Sequence, residues 1–283
     1  MIEIRWVYDP DHPGVYSEPA DATSAAALLD AGNAAFAALG VKLGQGLSAQ
    51  TLIPLAAEDL GLGEEPGRAP KHLPFTALLG CSDARVPPEV VFSQSSNEVF
   101  TVRVAGNVLG NACVGSLDYA VAHLPSLRLL TVLGHTRCGA VSAAVDAYLA
   151  PEGYLSMSAN LPLRSIIDSL MLTVRASDAA LRDAHGPRIR EAACYRRVLI
   201  DVAVVLNAAG TADAVRRMFS SNLGDQLAVV FGVFDLSSRV VGLPSAPPSS
   251  QRWTAGLRLP PPMNGFRDFA SDIVRSEFVR HQL

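Results

Sequence analysis

The sequence predicts an α/β fold: a mostly parallel central sheet flanked by helices, with an N-terminal helical arm and a C-terminal extension. Three observations carry this reading. Apolar runs at 75–80, 99–104, 127–133 and 227–236 have the length of strands and are bounded by turn residues. Between and after them, 114–124, 139–149 and 162–209 repeat apolar residues at spacings of three and four, the period of a helix face. Strands that are apolar along their whole length are buried on both faces, the condition of a parallel sheet covered by helices.

Taken in order, residues 1–20 are rich in Pro, Asp and Gly without a period and read as an arm. Leu28, Leu29, Gly32, Phe36 and Leu39 then share one helical face, with Thr23 or Ser24 as N-cap and Gly40 as the stop. This helix is Ala-rich and weakly charged, so it must bury much of its surface, for instance against a partner subunit. Segment 41–74 reads as a short helix over 49–60 followed by a Gly/Pro/Glu-rich loop. After the four strands and their helices, 240–243 reads as a short further strand. Residues 244–262, with Pro244, Pro247, Pro248 and Pro260-Pro261-Pro262, read as an irregular strap, and Phe266, Phe269, Ala270, Ile273 and Val274 as a terminal helix. Trp253, Leu257, Phe266, Phe269 and Ile273 are too apolar to leave solvated. Two units are therefore expected: residues 1–243, the principal domain with its arm, and 244–283, a strap and helix packed on it.

Composition excludes several classes. A chain of 283 residues that is 49% hydrophobic and 18% charged is an ordinary globular protein, and its net charge of −4 gives no general attraction to nucleic acid or anionic membrane. No stretch is read as approaching the ~20 apolar residues of a membrane span. The first residues lack a basic region followed by an apolar one, so no secretory signal is read. Four cysteines are too sparse for a disulfide framework, and a cytoplasmic enzyme is the expectation.

Two stretches carry chemistry. Leu79-Gly80-Cys81-Ser82-Asp83-Ala84-Arg85 follows the first strand and places a thiol, a carboxylate and a guanidinium at every second position, on one side of an extended segment. Gly134-His135-Thr136-Arg137-Cys138-Gly139 follows the third. Isolated cysteines are most often core residues. Two clusters at strand ends that share one metal's ligand chemistry read instead as a zinc site: Cys81, His135 and Cys138, with the fourth position open as in catalytic centres. Cys113 and Cys194 have no ligand companion nearby and read as core or free thiols. Asp83 is able to close the site as a fourth ligand, or to be held off it by a bidentate pair with Arg85 and then orient a metal-bound water. A plain surface salt bridge is the simpler alternative. A thiol phosphatase is disfavoured because Pro87, not Arg, stands six residues after Cys81, and Gly44-Gln45-Gly46 lacks the preceding strand of a dinucleotide site.

At these residues the chain resembles the β-class carbonic anhydrases. Cys81-Ser82-Asp83-Ala84-Arg85-Val86-Pro87-Pro88-Glu89 is similar to that family's first signature and His135-Thr136-Arg137-Cys138-Gly139-Ala140 to its second. Phe100 to Asn107 and Gly115 to Ala120 follow the middle blocks, with Val104 where Asn is usual. The resemblance covers about residues 24–243. It implies zinc on Cys81, His135 and Cys138, an Asp83–Arg85 gate, and reversible hydration of carbon dioxide to bicarbonate by zinc-bound hydroxide. It also implies a homodimer or higher homo-oligomer wrapped by N-terminal helices. Phe100 matches an apolar residue of the substrate pocket, and His72 stands where many members have a Gln that donates to substrate. Relatives that hydrolyse carbon disulfide or carbonyl sulfide on the same site supply a second reading, and a non-catalytic zinc-stabilised scaffold or sensor a third.

Overall fold

The structure, a computed structural model, describes residues 1–8, 18–61, 69–152 and 160–283. Its central sheet is built from β3 (Thr76–Gly80), β4 (Val99–Arg103), β5 (Leu129–His135), β6 (Ala228–Phe234), β7 (Val241–Pro244) and β8 (Trp253–Ala255), in the order β4-β3-β5-β6-β7-β8. The first four are mutually parallel; β7 and β8 add on antiparallel. Every residue of β3 and β5 is buried, as their unbroken apolar runs require. Alternation then divides the sheet between two cores. Ala77, Leu79, Leu130, Val132, Val229, Phe231 and Val233 join the larger one. Leu78, Leu129, Leu133, Val230 and Phe234 join the smaller.

Helices close both faces. The larger core takes α3 (Asn111–His123), α4 (Gly139–Leu149), α5 (Leu161–His185) and α6 (Tyr195–Met218). The smaller takes α1 (Ala22–Gly44) and the single turn α2 (Pro88–Val91). The N-cap of α1 is Asp21, in a reciprocal capping box with Ser24 that satisfies backbone donors of the first turn. The helix also runs past Gly40. A Cβ on Gly40 would meet only the flexible end of Arg239, whereas one on Gly32 would lie 1.8 Å from the Phe92 carbonyl oxygen, so Gly32 is the glycine that packing requires.

Other departures from the sequence reading are local. Residues 2–7, expected as part of a shapeless arm, form β1 (Ile2–Val7), and the expected helix over 49–60 is β2 (Ala49–Pro54) followed by a 3-10 turn at Glu58–Leu60. These two strands pair in parallel as a separate small sheet, with α1 as their crossover. Residues 9–17 of the arm and 62–68 of the following loop lie outside the described residues. The expectation of no membrane-length stretch is also corrected: α1 and α6 qualify by length and composition. The apolar window of α6 is 89% buried, as a core helix should be, whereas that of α1 is 22% buried.

The 243/244 boundary falls inside β7, and the strap is not wholly irregular, because β8 pairs with β7. Trp253, Ile273, Val274, Phe278 and Val279 are buried in the larger core, carried in part by α7 (Phe266–Val274) and α8 (Glu277–Arg280). Beyond α8, Gln282 Nε2 donates to Asp201 Oδ2 of α6 at 3.0 Å. Burial pushes the Asp201 carboxyl up to about 6. Its native value therefore exceeds its unfolded one, and the folded protein holds the extra proton between about pH 4 and pH 6. The stability this contributes is present below that window and lost as pH rises through it. Asp201→Asn keeps an acceptor for Gln282 and removes the charge. Urea titration should show it about 3 kcal/mol more stable than wild type near pH 8, with little difference near pH 4. Equal stabilities at both pH values would refute this.

Candidate metal centre

The site lies where β3 and β5 end side by side. The register pairs Gly80 with Leu133, so Cys81 emerges beside Gly134 and one residue from His135, the last residue of β5. Thr136 and Arg137 then turn the chain, Arg137 with φ +58°, and Cys138 becomes the N-cap of α4. Two motifs 54 residues apart at their nearest ligands, Cys81 and His135, thus meet at the carboxyl edge of the parallel sheet.

Cys81, His135 and Cys138 are all buried, and their ligand atoms lie within 4.8 Å of one another. The sulfurs are 4.0 Å apart. Two sulfurs at about 2.3 Å from one tetrahedral zinc would be about 3.8 Å apart. His135 Nδ1 faces Thr136 O at 3.0 Å. A carbonyl only accepts, so Nδ1 carries the proton, and Nε2 keeps a lone pair that is buried without a hydrogen-bond partner. Two thiols, a correctly protonated imidazole and an orphaned ring nitrogen fit a zinc ion. Among the described residues no fourth Cys, His, Asp or Glu joins the group. Cys113 is a buried free thiol and Cys194 a partly buried one.

The thiols share one readily lost proton. Hydrogen bonding from the Cys138 thiol, with the Gly106 N–H adding to it, pulls the Cys81 thiol down despite its burial. The same thiol–thiol contact, with burial, pushes Cys138 far up. Gly106 N–H donates to Cys81 Sγ at 3.3 Å, and the Ala140 and Val141 amides at the start of α4 face Cys138.

Asp83 and Arg85 meet by a route the sequence pattern did not show. The strand ends at Gly80, and the Val86 N–H donates to Asp83 O, so a turn replaces the expected extended segment. Within it, Arg85 Nε and Nη2 donate to the two Asp83 oxygens at 2.9 and 2.6 Å, and the Arg85 N–H adds a third bond at 2.9 Å. These bonds hold the Asp83 carboxyl well below the usual carboxylate range. Arg85 Nη2 also reaches Arg137 O at 3.4 Å, linking the two motifs. Asp83 Oδ2 stands 3.8 Å from His135 Nε2, beside the donor set but outside it. Arg103 of β4 fixes the loop from below, donating to Cys81 O at 3.0 Å and Asp83 O at 2.6 Å.

His72 and Phe100 are placed elsewhere. Their rings lie 5.8 Å apart and continue through Tyr119 to His123 as an aromatic row. Phe100 pairs with Ala77, three residues before the end of β3, or about 10 Å back along the strand from the donor set of the same chain. Within one chain they do not line the metal centre. For Tyr119 and His123, four apart on α3, helical spacing is the only local sequence signal.

An open, mainly parallel sheet with a buried Cys–His–Cys group at its carboxyl edge defines an α/β protein with a site able to hold a metal ion. The family is settled by comparison: the model described as carbonic anhydrase matches residues 76–240. The chain belongs to the carbonic anhydrase family, in its β class. It is 42% identical over 92 residues to carbonic anhydrase 2 of Mycobacterium tuberculosis, covering 31% of this chain and 44% of that protein. It is 44% identical over 85 residues to a carbonic anhydrase of Mycolicibacterium smegmatis, covering 29% and 41%. The match spans less than half the length of either relative. Among solved structures, it is similar to a tetrameric β-carbonic anhydrase of Sordaria macrospora, with TM-score 0.43 and 20% identity over 60% of this chain and 80% of that one.

Proposed function

We propose that this chain is a zinc-dependent carbonate dehydratase that interconverts carbon dioxide and bicarbonate. The observation that carries this is the tethered Asp83. A carboxylate 3.8 Å from a ligand nitrogen is close enough to complete a structural four-ligand site, yet both its oxygens are engaged by Arg85. The donor set is left at three, the number that catalytic zinc centres use. When bound, zinc would supply Lewis-acid activation of water near neutral pH.

The chain's own groups do the rest. Cys81, Cys138 and His135 Nε2 would hold the ion, and the Thr136 carbonyl keeps His135 in the ligating tautomer. Asp83 stays ionised through the working pH range, so it acts as an acceptor and not as a carrier of the proton. Its Oδ2, on the His135 side, is positioned to accept a hydrogen bond from the attacking water and aim a lone pair at the carbon. Arg85 supplies the restraint, and its link to Arg137 O ties that restraint to the loop carrying Cys138.

Stopped-flow hydration of carbon dioxide by the zinc-loaded chain tests this, with carbon disulfide and carbonyl sulfide hydrolysis run beside it. Hydration abolished by chelation and restored by zinc is expected. Turnover of only the sulfur analogues would replace the substrate, and turnover of none would leave a zinc-stabilised scaffold. The same preparation should sediment as a dimer or larger homo-oligomer, because α1 leaves Ala27, Ala31, Ala34, Ala38 and Val41 exposed along one stripe. A monomer would remove that part of the proposal.

A further inference from the structure

We infer that Asn207 of α6 is a positioning residue for the metal, holding the turn that aims a backbone N–H at Cys81 Sγ. The inference rests on the zinc reading above. Asn207 lies within the buried run of α6, where a polar side chain must find a partner. Its Nδ2 donates to Gly106 O at 2.8 Å. Gly106 N–H in turn donates to Cys81 Sγ at 3.3 Å. One side chain, one residue of backbone and one ligand sulfur therefore form a continuous chain.

The turn between them does not hold itself. Ala105–Asn107 is a single 3-10 turn in which Gly106 has φ 70° and Asn107, which is not glycine, has φ 45°. Left-handed backbone at two successive positions persists only where its surroundings impose it. Packing imposes part: a Cβ on Gly106 would come within 3.1 Å of Ala140 Cβ and 3.2 Å of a Leu170 methyl, so the peptide is wedged between α4 and α5. Direction comes from Asn207. With its carbonyl captured by α6, Gly106 is held in the orientation that faces its N–H to the sulfur. A hydrogen bond to a thiolate draws charge from the sulfur, so the zinc receives less and remains the stronger Lewis acid.

The test compares Asn207→Ala and Asn207→Asp with wild type, with Leu206→Ala as a control for lost stability. Asn207→Asp preserves shape but removes the donor when ionised, so it serves should Asn207→Ala fail to fold. Leu206 is the neighbouring buried residue and plays no part in the chain of bonds. Two quantities are read: the zinc dissociation constant by chelator competition, and the sulfur-to-metal charge-transfer band of the cobalt-substituted protein. Both Asn207 variants should bind zinc about 10- to 100-fold more weakly, because the released turn no longer holds the Cys81 loop in its binding geometry, and their cobalt bands should move to longer wavelength as the sulfur loses its hydrogen bond. Leu206→Ala should lower the melting temperature and move neither quantity. A wild-type chain that takes up no metal would overturn the zinc reading and this inference together. Metal-loaded Asn207 variants with wild-type affinity and an unmoved band would overturn this inference alone.

Discussion

Arg85→Ala should lower carbon dioxide hydration by at least about two orders of magnitude while zinc stays bound, the scale for loss of one positioned catalytic group. Asp83 is held by three bonds from Arg85, two of them from the guanidinium. With the guanidinium gone, the carboxylate loses its ion-pair partner and is left beside a cation, so both changes drive it onto the metal. The backbone bond from residue 85 survives but engages only Oδ1, leaving Oδ2, the oxygen on the His135 side, free to turn. A fourth ligand would then close the position the reaction needs. Asp83→Asn should also impair turnover, for a different reason: the amide is a weaker ligand, so the site stays open but its acceptor is less basic. A crystal structure of Arg85→Ala with its hydration rate checks the argument. An active variant with Asp83 still off the metal would reduce the pair to a salt bridge.

Cys138→Ser should remove zinc and activity without unfolding the chain. Cys138 caps α4, and serine is among the preferred N-cap residues, so the helix is not weakened. The ligand is lost because a serine oxygen is a poor substitute for thiolate sulfur. Structural zinc contributes about 10–16 kcal/mol in small zinc domains, where four ligands share it, so each is worth roughly 2.5–4 kcal/mol, or about 10²–10³ in affinity. Zinc content after dialysis against a chelator should fall to near zero, and hydration with it. Zinc retained at wild-type affinity would remove Cys138 from the donor set.

Much of this centre was legible from residues alone. Strands that are apolar on both faces announce a covered parallel sheet. Their carboxyl ends locate Cys81 and His135. What stayed hidden depends on partners distant in sequence. β1 and β2 lie 41 residues apart and pair only because α1 crosses between them, so neither carries a local strand signal beyond alternation. Gly40 resembles a helix stop, but the helix continues to Gly44. The Asp83–Arg85 pair is legible, but its turn is not, because the turn is fixed by a bond from Val86 that no side-chain pattern records. Asn207 carries almost no local signal because its partner is a backbone carbonyl 101 positions earlier. An amide inside an otherwise buried helix was the one available signal.

The most direct test of the central claim is X-ray absorption at the zinc edge of the chain as purified. Two sulfurs at about 2.3 Å and one imidazole nitrogen at about 2.0 Å are expected, at about one zinc per chain. A shell of four sulfurs, or a chain carrying no zinc, would contradict it.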